Sequence, residues 1–135
     1  MAQVNSGKDS GTLIVFEGLS GSGKSENIKK LQTHLDAMPM KNAVMEWNSN
    51  KLIRRIVRVL QNKKLLTSNI YSLLQWMGFL VYYITKIKPL LRKKYIVIAD
   101  RYAFTGLVRD AVNGGSLFIG KRIWPLIRKP NLIFF

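Results

Sequence analysis

Residues 18–25 read Gly-Leu-Ser-Gly-Ser-Gly-Lys-Ser, which fits the spacing G-x-x-x-x-G-K-[ST]. Gly18, Gly21 and Gly23 let the backbone curl so that successive N–H groups, those of Leu19, Ser20 and Ser22 among them, point inward around phosphate oxygens. Lys24 is placed to bridge the β- and γ-phosphates of a nucleoside triphosphate, and the Ser25 hydroxyl to ligate Mg²⁺. A second constellation lies at Asp100-Arg101. An acid at the end of a neighbouring strand can face a magnesium ion and its waters, and the Arg beside it can reach a second anion. The pair therefore suits phosphoryl transfer, and the motif alone does not name the acceptor.

Such a loop works only between a buried strand and a helix, and the flanking sequence supplies both. Thr12–Glu17 is a continuous apolar run, the pattern of a strand covered on both faces. A helix is expected from Lys24 to Ala37, with Ile28, Leu31 and Leu35 on one stripe. Asn42–Trp47 reads as a second strand and Lys51–Lys63 as a helix with a core stripe of Ile53, Ile56, Val57 and Leu60. Lys51, Arg54, Arg55 and Arg58 share another face of that helix. Thr67 or Ser68 caps a long helix running towards Lys93, with Pro89 kinking it. Tyr95–Asp100 is a third buried strand, short helices follow near 104–112 and 119–128, and Asn131–Phe135 is a fourth strand. Strands alternating with helices predict an α/β fold, a parallel sheet with helices on both faces. Residues 1–11 read as a flexible leader and 12–135 as one domain. The sequence finishes within a strand, so the fold is expected to continue past it.

Composition narrows the partners. The 135 residues carry 22 Lys and Arg against 7 Asp and Glu, a formal charge of +15, which favours anionic ligands. With no Cys and one His, His34, disulfides, thiolate metal sites and a His-built zinc site are excluded. The apolar segment 70–84 is interrupted by Ser72 and Gln75 and is shorter than a bilayer requires, so a membrane partner is not expected. The N-terminus carries no secretory signal, and a cytoplasmic location is expected. The face formed by Lys51, Arg54, Arg55 and Arg58 reads first as a solvated helix face and second as a phosphate-backbone or steering surface.

Taken together, LIVFEGLSGSGKS and DRYAFTG, with PNLIFF further on, resemble the thymidylate kinase family of P-loop nucleoside monophosphate kinases. The likeness runs from about Thr12 to Phe135 and implies the three-layer P-loop NTPase fold. It further implies ATP and Mg²⁺ on residues 18–25, metal contact through Ser25 and Asp100, and catalytic roles for Lys24, Asp100 and Arg101. The acceptor monophosphate would meet Arg101, with Glu46, Tyr102 and Thr105 around it and Trp76 stacking on the base. A homodimer through the apolar helix 68–91 is implied as well.

The sequence departs from the family pattern at three places. Ser20 stands where an acid is usual, Leu80 where an Arg is usual, and Glu46-Trp47-Asn48-Ser49-Asn50 shares only its acid with the family's segment after the second strand. A site that loses donors loses the discrimination they provide, so dTMP or a related acceptor is expected. The family's cationic lid lies beyond Phe135; were these residues the entire polypeptide, phosphate binding with poor or no turnover is expected. Arg109, Lys121, Arg122 and Arg128 are other cations that could serve. The reading is an ATP-dependent phosphotransferase of nucleotide biosynthesis. The alternative is a non-catalytic P-loop module binding nucleotide or nucleic acid.

Overall fold

The computed structural model describes residues 11–47 and 51–135, and among them four strands form one parallel sheet. In chain order the elements are β1 (Thr12–Phe16), α1 (Lys24–Asp36), β2 (Asn42–Glu46), α2 (Lys51–Asn62), α3 (Ser68–Tyr82), α4 (Lys88–Arg92), β3 (Ile96–Asp100), α5 (Ala103–Val112), α6 (Phe118–Ile123) and β4 (Leu132–Phe134). Each expected element is present, within a few residues at its ends, except that the helix expected at 119–128 stops at Ile123 and gives way to a 3-10 turn, Trp124–Leu126. Residues 1–10 of the expected leader, and Asn48, Ser49 and Asn50, lie outside the described residues. Gly11 belongs to the fold: it is buried, and its N–H donates to the Leu91 carbonyl at 2.7 Å. A side chain there would collide with the Tyr95 carbonyl, so glycine is required by space.

The chain divides into two compact units, the first drawn from Met1–Trp47, Ile84–Tyr102 and Arg128–Phe135, the second from Asn48–Tyr83 and Ala103–Ile127. The first unit holds the sheet, in the order β2-β3-β1-β4. Alternation along β1 and β3 sends Ile14, Phe16, Ile96 and Ile98 to one face, where Ile28 and Leu35 of α1 complete the core. Leu13, Val15 and Val97 go to the other face, and α4 packs against β3. Leu13, Val97 and Ile98 are wholly enclosed, which explains why these strands read as unbroken apolar runs.

From β1 the chain crosses to β2 on one side, and from β3 it returns to β4 on the other. Connections leaving two adjacent strands in opposite directions open a crevice at their carboxyl ends, where ligands of doubly wound sheets bind. The strand ends are also in register, with Phe16 opposite Asp100 and Asp100 opposite Glu46. Three successive strands thus deliver their last residues to one row.

The second unit is helical. Thr67 is the cap of α3, its hydroxyl accepting from the Ile70 N–H at 3.2 Å. In the first unit, to which all of it but Tyr83 belongs, a π-helical segment, Tyr83–Ile87, is the form taken by the kink expected at Pro89. Pro89 has no N–H to give the carbonyl four residues back, and the ladder around Thr85 shifts instead.

Candidate phosphate-binding site

Beyond Phe16 the backbone turns sharply. Gly18, Gly21 and Gly23 have φ of 142°, 82° and 84°, left-handed values that a side chain would strain. The Ser22 N–H donates to the Leu19 carbonyl at 3.3 Å, closing the turn. Gly23 caps α1 without any side-chain hydrogen bond, and the first backbone bond of the helix runs from Asn27 N–H to the Gly23 carbonyl. The N–H groups of the first turn therefore have no helical carbonyl to bond and face outward at the positive end of the helix. This is a ready anion site.

Lys24 bends back over the loop, its Nζ donating to the Leu19 carbonyl at 3.3 Å and standing 4.0 Å from Asp100 Oδ1. Among the described residues that Asp100 oxygen is buried with no hydrogen-bond partner. An orphaned carboxylate oxygen beside an ammonium is poised for a water or a metal ion. A cleft of about 420 Å³ opens here, lined by Ser20, Gly21, Gly23, Lys24, Ser25, Glu26, Glu46, Asp100 and Arg101. Among the described residues no cluster of three or more His, Cys, Asp or Glu side chains could enclose a metal. That donor set suits magnesium, which binds through one or two carboxylates together with substrate phosphates and waters. Ser25 and Asp100 are the residues that would hold it.

Arg101 carries a left-handed φ of 71°. A non-glycine residue there costs on the order of 1–3 kcal/mol and persists only when its surroundings enforce it. Two bonds do so: Arg101 N–H to the Phe16 carbonyl at 2.9 Å, and Tyr102 N–H to Glu17 Oε1 at 2.8 Å. Glu17, nearly fully buried, ties the start of the phosphate loop to the turn carrying Arg101. Sequence reasoning treated Glu17 as the end of a strand and missed this role. An acid closing an apolar run was the available signal.

The first unit brings together residues 18–25, Glu46, Asp100 and Arg101, as expected. Tyr102 is held otherwise: it is buried, and its hydroxyl donates to the Arg128 carbonyl at 2.9 Å. Trp76 and Thr105 belong to the second unit. There Trp76 is wholly enclosed, its indole N–H donating to Asp110 Oδ2 at 2.7 Å. It offers no open face for stacking; its ring meets Phe79 edge-on at 5.9 Å. Of the other cations, Arg109 lies over the Tyr71 ring, and burial holds its guanidinium below its ordinary value despite the opposing pull of Tyr71 and Asp110. Arg122 lies over Phe118, and Arg128 donates to Asn131 Oδ1.

The fold and cradle define a phosphate-loop α/β protein. Within that class the chain belongs to the thymidylate kinase family, whose family model, thymidylate kinase, matches residues 16–135. It is 36% identical over 125 residues to a probable thymidylate kinase 2 of Saccharolobus solfataricus, a match covering 93% of this chain and 58% of that protein. The fold is similar to a thymidylate kinase from Ehrlichia chaffeensis, with a TM-score of 0.73 and 22% identity over 91% of this chain and 72% of that one. A thymidylate kinase of Candida albicans gives a TM-score of 0.66 and 22% identity over 92% of this chain and 61% of that one.

Proposed function

We propose that this chain carries the nucleotide-binding and phosphate-transfer apparatus of a kinase that moves the γ-phosphoryl of ATP to dTMP or a closely related monophosphate. The observation that carries the reading is the cleft in which the Lys24 ammonium, the orphaned Asp100 oxygen, Ser25 and Arg101 converge on the open start of α1. The backbone N–H groups there hold the triphosphate, and Lys24 spreads its charge over the β- and γ-oxygens. Arg101, fixed by its strained backbone, orients the acceptor phosphate for in-line attack. Magnesium, bound through Ser25 and Asp100, would neutralise phosphate charge. Positioning and charge neutralisation do most of the work, so no covalent enzyme intermediate is required.

Ser20, exposed at the cleft edge, brings a hydroxyl where the family pattern has a carboxylate, which supports a tolerance for acceptors beyond dTMP. The exposed apolar stripe Ile70, Leu73, Met77 and Val81 on α3 supports a homodimer through that helix. The reaction belongs to nucleotide synthesis in the cytoplasm.

The test is ADP release from ATP and magnesium across a panel of monophosphates. Release should require a monophosphate, dTMP or a near relative giving the highest rate, and Lys24→Ala should lower it by at least about a hundredfold. No release with any monophosphate, together with a salt-steep affinity for polynucleotide that survives Lys24→Ala, would instead indicate a non-catalytic binding module.

A further inference from the structure

The stretch from Trp47 to Ala99 contains no Asp or Glu. The second unit holds six Lys and Arg between Lys51 and Lys64, then Arg109, Lys121 and Arg122, against a single acid, Asp110. That acid is buried, and its Oδ2 accepts from both the Ser72 hydroxyl at 2.8 Å and the Trp76 indole at 2.7 Å. Asp110 is thus the one acid in the sequence of this unit, and it is engaged in the interior.

The charge is densest on α2, and α2 is unusual in a second respect. Lys51, Arg54, Arg55 and Arg58 are all exposed on one face. None of the helix is fully buried: Ile53, Ile56, Val57 and Leu60, which make its apolar stripe, are only half-covered by the packing against α3. Leu52 and Val59, seven residues apart on the border between the two faces, are 59% and 46% exposed. A cationic face bordered by open aliphatic side chains is the signature of a helix lying in a membrane interface.

We infer that α2 is a docking surface for an anionic lipid bilayer, with Lys51, Arg54, Arg55 and Arg58 on the headgroup phosphates and Leu52 and Val59 entering the interfacial layer. Adsorption has no length requirement, so the shortness of segment 70–84, which argues against a span, is no obstacle here. Among the described residues no helix is long and apolar enough to cross a membrane. A polynucleotide would satisfy the cations equally but would set Leu52 and Val59 against a charged backbone with nothing to gain. A second copy of α2 would bring like charges together.

The test is flotation of the 135-residue chain with phosphatidylcholine vesicles, with and without phosphatidylserine. Binding should require phosphatidylserine and weaken as salt rises. Each Lys or Arg near an anionic surface contributes a factor of about five, so Lys51→Gln/Arg54→Gln/Arg55→Gln/Arg58→Gln should lose on the order of several hundredfold. Should that variant lose its helical circular dichroism, Arg55→Gln/Arg58→Gln reads the same face at on the order of 25-fold. Leu52→Gln/Val59→Gln, at unchanged charge, should weaken binding on the order of tenfold. Equal binding to pure phosphatidylcholine, or no binding to either vesicle, overturns the inference. So does tighter retention by duplex DNA that Leu52→Gln/Val59→Gln leaves unchanged, which would make α2 a nucleic-acid surface.

Discussion

That Lys24, Ser25 and Asp100 line one cleft was legible in the sequence, because it depends on local spacing and on an acid ending an apolar run. Glu17 also closes an apolar run, but its role could not be read from that alone. Its partner, Tyr102 N–H, lies 85 positions away and arrives only when β3 pairs with β1 in register. The consequence is measurable. Glu17→Ala leaves a buried backbone N–H without that acceptor, at a cost of about 1–3 kcal/mol, and releases the turn that keeps Arg101 in its left-handed conformation. A fall of several degrees in Tm is expected, together with a drop in kcat/KM for the monophosphate. Glu17→Gln keeps an oxygen for the Tyr102 N–H and should recover most of both. If Gln and Ala behaved alike in melting and in turnover, the bond to Tyr102 would not be what matters.

Helices and strands were readable almost throughout, since periodicity, Thr67 and the glycine loop act locally. What each helix face touches was less so. The resemblance put Trp76 against an acceptor base, whereas α3 turns Ser72, Trp76 and Phe79 inward, and Asp110 of α5 meets the two polar groups among them. An acid between Arg109 and Ala111 gave no hint that it would be the hydrogen-bond centre of a helical unit, because its two donors lie 38 and 34 residues upstream. Close approach hides the same way: at Gly120 a Cβ would stand 2.6 Å from Leu107 Cδ2 and 2.7 Å from Trp76 Cζ2. Asp110→Ala should therefore destabilise by about 2–5 kcal/mol, since it leaves a buried hydroxyl and an indole N–H unpaired, each at about 1–3 kcal/mol. Asp110→Asn, which keeps one acceptor oxygen, should lose less. Urea unfolding followed by tryptophan fluorescence separates these outcomes. Equal stability of Asp110→Ala and the native chain would remove Asp110 from the core of the second unit.

At the scale of the whole molecule, a formal charge of +15 acts on every association the protein makes. Ile70, Leu73, Met77 and Val81, four exposed apolar side chains on α3, carry no charge, whereas α2 concentrates four cations. Pairing two copies through α3 buries apolar surface while forcing two cationic bodies together. Salt screens that repulsion, so dimer affinity should rise with ionic strength. Adsorption of α2 to anionic lipid depends on attraction and should fall over the same range. Opposite salt dependences from one chain would show that two distinct surfaces are at work. Sedimentation velocity across a salt series, run beside the vesicle assay, reads both. Leu73→Glu/Met77→Glu should give a monomer at every salt concentration. A native chain that is monomeric even at high salt would remove α3 as an interface, and the stripe would then be apolar surface without a partner copy.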